Sequence, residues 1–307
     1  MAHLAVIGSQ TVNGVAELHT DILKLTLFRH FNRMFPGKIS NVTNGVTPRR
    51  WLFQANPLLT HLIDELLGRH PAGHPDHTPP LDLSHVHALR EHARDPRAHE
   101  LWRAVRRSNK MRLQQLVYDT CGISLDLNML FDVQVKRIHE YKRQVLNILG
   151  CIHRYSELRR MKREAPGLMG AVVPRAVIFS GKAAPGYLMA KLVIKLIINV
   201  AHVINADKET NSFLRVVFIP NYNVKMAESI IPGADLSQHL STAGMEASGT
   251  SNIKFAMNGC LLLASLDGST AEISREVGEE KLFIFGHRAD LVDEVRERQK
   301  RGQPMCC

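Results

Sequence analysis

Three short segments of this 307-residue chain carry residue types that could do chemistry. The first reads Glu246-Ala247-Ser248-Gly249-Thr250-Ser251-Asn252-Ile253-Lys254. Small residues let a backbone approach a ligand, and hydroxyls and amides at a helix start hold phosphate, with a lysine in the first turn beside that anion. An amine placed there suits an aldehyde cofactor that carries its own phosphate and is held as a Schiff base. A Ser/Gly helix cap followed by a surface lysine fits the same nonapeptide. A Walker loop is excluded, because no Gly-rich loop ending in Gly-Lys-Ser/Thr is present.

The second segment, Lys136-Arg137-Ile138-His139-Glu140-Tyr141-Lys142-Arg143, follows the apolar run Met129 to Val135. Arg137 offers a planar fork for an oxyanion, and Lys142 is expected on the same side of a helix about one and a half turns later as a point charge. Two such cations could hold one phosphate dianion; a solvent-facing basic helix start or a nucleic-acid patch is the alternative. Val145, Ile148, Leu149 and Ile152 mark the helix that follows, with one face buried. In the third segment, Thr43 to Trp51, Asn44 could bond a sugar hydroxyl and Trp51 could wall an apolar cofactor face. A plain Asn-Gly turn and a core tryptophan account for them equally.

The elements that must position these segments follow from periodicity. Val15, Leu18, Ile22 and Leu25 predict one amphipathic helix over 13–35, in need of a partner. From Leu59 to about Arg112 the composition shifts to Pro71, Pro75, Pro79 and Pro80 beside His70, His74, His77, His85, His87, His92 and His99. This reads as an exposed connection leading into helices, and the irregular histidine spacing argues against a metal site. After Pro174, the run Ala176 to Phe179, a helix carrying Leu188, Leu192, Leu196 and Val200, and the run Leu214 to Ile219 make one βαβ unit. It recurs more loosely through a helix at Val224 to Ile230, the run Cys260 to Leu266, a short helix and the run Leu282 to Phe285. The expected fold class is therefore α/β, a parallel sheet covered on both faces, with ligands at the carboxyl ends of its strands.

A hydrophobic fraction of 45% fills a core, and 22% charged residues leave no run of eighteen apolar residues free of charge. No membrane partner or secretion signal is expected. Cys121, Cys151, Cys260, Cys306 and Cys307 are too scattered for a disulfide framework or a CxxC pair, which fits a reducing, cytoplasmic compartment. The net charge of +10 favours anionic ligands without choosing among them.

Together with Gly181-Lys182-Ala183-Ala184-Pro185-Gly186-Tyr187 and Pro220-Asn221-Tyr222-Asn223-Val224, the three segments resemble the α-glucan phosphorylases, the glycogen and starch enzymes. The resemblance is colinear from Met1 to roughly Val295. It implies a Rossmann-like sheet of the two-domain GT-B glycosyltransferase type, pyridoxal 5′-phosphate as cofactor, and reversible phosphorolysis of terminal α-1,4-linked glucose to α-glucose 1-phosphate. Carried over residue by residue, Lys254 matches the Schiff-base lysine, and Thr250, the amide of Ser251 and Lys136 match groups at the cofactor phosphate. Arg137 and Lys142 match the pair that binds substrate phosphate. Asn44, Glu246, Ser248 and Gly249 match contacts to glucosyl hydroxyls, Tyr141 a wall of the sugar site, and Tyr222 and Trp51 residues lining the cofactor. The implied partners are an α-1,4-glucan and inorganic phosphate, without nucleic acid, and a homodimer in the full-length family.

Two departures stand out. Gln10 occupies a place where the family has a histidine near the leaving oxygen; an amide donates and accepts hydrogen bonds but does not titrate. The resemblance also starts after the family's long N-terminal half, and the expectation is a remnant of the first domain at 1–40, a truncated cofactor-binding domain at 41–295 and a non-family tail at 296–307. Two readings follow: the cofactor half of a phosphorylase, or a non-catalytic remnant that binds pyridoxal phosphate, glucan or a partner subunit. A nucleic-acid module rests on charge alone, and a nucleotide-sugar transferase is the nearest enzymatic rival of the same fold.

Overall fold

The computed structural model describes residues 1–69 and 83–303. His70, His74, His77, the four clustered prolines, Cys306 and Cys307 lie outside them. Helix α1 (Ala2–Gly8) leads into strand β1 (Val12–Gly14), helices α2 (Glu17–Leu25) and α3 (Arg29–Met34), and strand β2 (Ile39–Asn41). The single helix expected over 13–35 is therefore not formed. Val12 and Asn13 pair in parallel with Ile39 and Ser40, and α2 stops at Thr26, whose hydroxyl bonds the Ile22 carbonyl. Leu25, the last member of the expected apolar stripe, is 72% exposed.

A π-helical turn over Arg49–Gln54 carries Trp51 into the core ahead of helix α4 (Pro57–Leu66). The Asn56 side chain accepts from the Leu59 amide and Pro57 fits the first turn, so α4 has a well-capped start. Leu59, Leu62 and Ile63 are buried, which corrects the expectation of an exposed connection beginning at Leu59. A 3₁₀ turn at Ser84–His92 follows, and helix α5 (Pro96–Cys121) runs from the Asp95 cap to Gly122. Among the described residues no group of three His, Cys, Asp or Glu is placed to hold a metal ion.

The main sheet has six parallel strands, β3 (Leu130–Val135), β4 (Arg175–Ser180), β5 (Leu214–Ile219), β6 (Leu236–His239), β7 (Leu261–Ala264) and β8 (Phe283–Ile284), in the order β5-β4-β3-β6-β7-β8. Helices α6 (Gln144–Glu164), α7 (Leu188–Ala206), α8 (Val224–Gly233), α9 (Ser251–Met257), α10 (Ser269–Val277) and α11 (Val292–Lys300) complete the chain. Strand residues alternate between two cores, as a period of two demands. Val133, Val135, Ile178 and Val217 pack with Leu113 and Val117 of α5 and Ile230 and Ile231 of α8. Val177, Phe179 and Val216 pack with Ile148 and Cys151 of α6 and Val193 and Ile197 of α7.

Two details differ from the periodicity. On α7 the buried positions are Ala190, Val193, Ile197, Ala201 and Ile204, while Leu188 and Leu192 are 69% and 48% exposed. The inner face combines alanine with β-branched residues that sit closely on a pleated surface, and the leucines are left outside. This helix is long and apolar enough, by length and composition alone, to cross a membrane, and its inner face lies against β5. On α6, Ile148 is fully buried but Val145 and Leu149 face outward.

Candidate functional site

Strand order reverses between β3 and β6, because β4 and β5 extend the sheet one way and β7 and β8 the other. A crevice opens at the carboxyl ends of strands at such a switch point. Here it is a cavity of about 270 Å³, lined by Lys142, Val135 and Lys136 at the end of β3, His239 and Ser241 at the end of β6, the stretch Glu246 and Ser248 to Asn252, Lys254, Asp267, Thr270 and Tyr222. A roomier hollow of about 400 Å³ on the α6 side is mostly apolar, and its one carboxylate, Asp132, is already bonded to Arg175 and Gln238.

Two close approaches fix the loops around the cavity. A Cβ at Gly181 would lie 2.3 Å from the Lys136 carbonyl oxygen, so the turn after β4 presses directly on the Lys136 loop. A Cβ at Gly268, whose φ is +51°, would lie 2.5 Å from the Ser248 carbonyl oxygen and 2.8 Å from that of Glu246. Neighbouring Asp267 accepts hydrogen bonds from the amides of Met245 and Glu246 and from the Ser241 hydroxyl, and its other oxygen meets His19 at 3.1 Å. The Ser269 hydroxyl and amide both donate to the Ser248 carbonyl. Glu246 is thereby aimed at Lys142, with Oε2 and Nζ 2.5 Å apart, and it accepts from the Tyr141 hydroxyl at 3.3 Å.

Lys254 projects from α9 with its Nζ 3.8 Å from the centre of the Trp51 ring. Among the described residues that amine has no hydrogen-bond acceptor or carboxylate partner. Buried Asn258 holds the two together by donating to the carbonyls of both Trp51 and Lys254, and Asn56 and Asn109 continue the network toward α4 and α5. Lysine and indole are therefore set by a satisfied buried polar network, which fixes geometry more firmly than apolar contact alone.

The electrostatics divide the lysines. Desolvation lowers the Lys254 ammonium below its ordinary range. Desolvation, reinforced by Lys142 and opposed by Glu246, lowers Lys136 to about 8. Desolvation also acts to lower Lys142, yet the Glu246 bond and Tyr141 outweigh it and raise the group. Burial pushes the Tyr222 phenol up to about 12. The cavity thus holds one raised ammonium, Lys142, and two amines lowered by desolvation, of which Lys254 has no acceptor among the described residues and is the one free to attack a carbonyl.

Of the residues singled out in the sequence, the cavity gathers Lys136, Lys142, Tyr222, Glu246, Ser248, Gly249, Thr250, Ser251 and Lys254, with Trp51 behind Lys254 and Tyr141 behind Glu246. Arg137, Asn44 and Gln10 are exposed and do not line it. The expected helical side shared by Arg137 and Lys142 is also corrected. Residues 136–139 form a loop, Glu140–Lys142 a 3₁₀ turn, and Arg143 at φ 55° redirects the chain into α6. The left-handed Arg143 breaks any straight helix from Lys136, and its side chain bonds the Leu240 and Ser241 carbonyls. Asn44 is held by its amide to the Val15 carbonyl, beside Thr43, which donates to Glu272.

His239, Ser241, Asp267 and Thr270 also line the cavity, outside the segments that the sequence singles out. His239 and Ser241 follow β6, whose Leu-Ser-Gln-His pattern carries no apolar run. Asp267 follows β7, a position beyond a strand's carboxyl end of the kind the topology rule points to.

A doubly wound parallel sheet whose switch-point cavity brings together ammonium groups, hydroxyls and an unpaired amine defines an α/β protein suited to a phosphate-bearing ligand. The chain belongs to the carbohydrate phosphorylase family, whose model matches residues 1–306. It is 48% identical over 302 residues to the α-glucan phosphorylase H isozyme of Solanum tuberosum and to α-glucan phosphorylase 2, cytosolic, of Arabidopsis thaliana, covering 98% of this chain and 35% of each relative. It is 48% identical over 306 residues to glycogen phosphorylase of Chlamydia pneumoniae, 100% of this chain and 35% of that protein. The chain thus spans about a third of the length of these curated relatives.

Proposed function

We propose that this chain supplies the cofactor- and phosphate-binding half of an α-glucan phosphorylase of the two-domain GT-B type. The reaction is reversible phosphorolysis of terminal α-1,4-linked glucose to α-glucose 1-phosphate. The observation that carries this reading is the convergence of Lys136, Lys142, Glu246, Thr250, Ser251 and Lys254 on one cavity at the switch point. The donors present suit pyridoxal 5′-phosphate: an unpaired, desolvated amine for the aldehyde, an indole and a phenol for the ring, and an ammonium with hydroxyls for the phosphate. A cytosolic setting is inferred from the Arabidopsis relative.

In this reading the Lys254 amine anchors the cofactor, with Trp51 and Tyr222 lining its ring, and Thr250, the Ser251 amide and Lys136 hold its phosphate. Lys142 is the cation for inorganic phosphate, oriented by Glu246 and Tyr141. Glu246, Ser248 and Gly249 are the contacts for glucosyl hydroxyls, whereas Arg137, Asn44 and Gln10 enter through the resemblance alone. The bound cofactor would supply a phosphate group, not its ring, as the acid–base partner of inorganic phosphate. The residues' own contribution is electrostatic, bringing several anions together in a partly desolvated cleft. No carboxylate pair of the glycosidase kind is required.

The test adds inorganic phosphate and a linear α-1,4-glucan to the protein reconstituted with pyridoxal phosphate. Glucose 1-phosphate is the expected product, and Lys142→Ala is expected to lower its rate by about 10²-fold, the scale of one lost electrostatic contact to the reacting group. An undiminished rate in Lys142→Ala contradicts the assignment. The exposure of Gln10 and Arg137 favours a second reading, a binding-only protein, which predicts cofactor attachment without product.

A pH dependence accompanies the phosphate contact. Lys136 is charged below about 8 and neutral above it. The affinity for pyridoxine 5′-phosphate, which has no aldehyde to engage Lys254, should therefore fall roughly tenfold between pH 7 and 9. Lys136→Gln should flatten that profile in a fluorescence titration; a flat profile in the unaltered protein removes the Lys136 contact.

A further inference from the structure

His239 is a buried histidine at the end of β6, and none of the roles above uses it. Its Nε2 lies 3.0 Å from the Ser237 hydroxyl oxygen, and its Nδ1 lies 3.2 Å from Nζ of Lys136. The Ser237 hydroxyl in turn donates to the Leu261 carbonyl at 3.5 Å. An ammonium only donates, so Nδ1 is the acceptor of the Lys136 contact and the neutral imidazole carries its proton on Nε2, facing the Ser237 oxygen. Nδ1 is then an unprotonated acceptor facing the Lys136 ammonium. The buried Phe255 ring packs against the imidazole edge-on, with centroids 6.0 Å apart and planes at 71°.

We propose that His239 is a positioning residue that holds the Lys136 ammonium in place for the cofactor phosphate. The proposal rests on the reading of this cavity as a pyridoxal phosphate site. A long lysine side chain has many rotamers, and an acceptor fixed at both ends removes the freedom that phosphate binding would otherwise have to remove. The charged groups around the imidazole are consistent with a neutral acceptor. Lys136 and Lys142 face it, Glu246 and Asp267 line the same cavity, and Glu246 is committed to Lys142. Burial first, then Lys136 and Lys142, drive His239 well below the usual histidine range, so it stays neutral at physiological pH.

The readout is the ratio of affinities for pyridoxal 5′-phosphate and pyridoxal, which isolates the phosphate contact from the aldehyde and ring. In His239→Ala the ratio is expected to fall about tenfold or more, the scale of a hydrogen bond to a charged group. In His239→Gln, whose amide oxygen can accept the same bond, most of the ratio should return. His239→Ala added to Lys136→Ala should cost nothing further in the ratio, since both changes remove one contact. Should His239→Ala fail to fold, Ser237→Ala, which frees the tautomer without deleting the ring, is expected to lower the ratio about threefold, roughly half the free energy of that bond.

A merely structural histidine would lower stability and weaken both ligands alike, leaving the ratio unchanged. An unchanged ratio in His239→Ala, or in Ser237→Ala where the first does not fold, therefore overturns the proposal while the cofactor reading stands. Failure of the unaltered protein to bind either ligand overturns the cofactor reading itself, and this inference with it.

Discussion

Lys254→Ala is expected to abolish covalent attachment of pyridoxal phosphate, with no absorbance change on mixing and no label after borohydride reduction. The loss should be complete, because bond formation needs a neutral amine at that place. Lys254 is lowered by desolvation, has no hydrogen-bond acceptor or ion-pair partner among the described residues, and sits against the Trp51 ring. Lys136 reaches the same cavity but is engaged by His239, and Lys142 is paired with Glu246. Lys254→Arg should fail equally, since a guanidinium stays protonated. Residual labelling of the Ala variant at wild-type yield would mean that another lysine is the attachment point.

The second large effect is expected from Gly268→Ala, in a residue that touches no ligand. Its φ of +51° disfavours any side chain, and its Cβ would meet two backbone carbonyl oxygens, those of Ser248 and Glu246. Backbone cannot swing aside as a flexible side chain can. The positive-φ conformation and the overpacking each cost about 1–3 kcal/mol, so a loss of roughly 2–6 kcal/mol in unfolding stability is expected by denaturant titration. Relief would come by pushing the 246–249 loop away from Lys142, so cofactor affinity should fall even where the variant stays folded. A stability change under about 1 kcal/mol would show the loop to be looser than its contacts imply.

What the sequence made legible follows its physics. The runs at Ala176 to Phe179 and Leu214 to Ile219 are strands because β-branched and aromatic residues buried on both faces leave an unbroken apolar pattern. Strand β6 has the same environment with Ser237, Gln238 and His239, whose burial is compensated one by one through hydrogen bonds. A hydropathy pattern contains no trace of such partners, so both the strand and the histidine at its end escaped. The N-terminal error has a similar origin. Leu18, Ile22 and Leu25 are helical in α2, but Val15 lies in the bend before it and Val12 and Asn13 are claimed by β2, a partner almost thirty residues away along the chain.

The site divides along the same line. Residues in contiguous motifs, such as Thr250, Ser251 and Lys254, were nameable because their functional neighbours are also their sequence neighbours. The pairing of Lys142 with Glu246 and the choice of Lys142 over Arg137 depend on the αL turn at Arg143 and on its bonds to residues 240 and 241. Those are tertiary contacts, and spacing on an assumed helix gave the wrong geometry for them.

The measurement that tests the account most directly is peptide mapping of the protein after incubation with pyridoxal phosphate and reduction with borohydride. One pyridoxyl label is expected, on the peptide that contains Lys254, formed with pyridoxal phosphate in strong preference to pyridoxal. A label on Lys136 or Lys142, labels spread over surface lysines, or none at all would contradict the placement of the cofactor in this cavity.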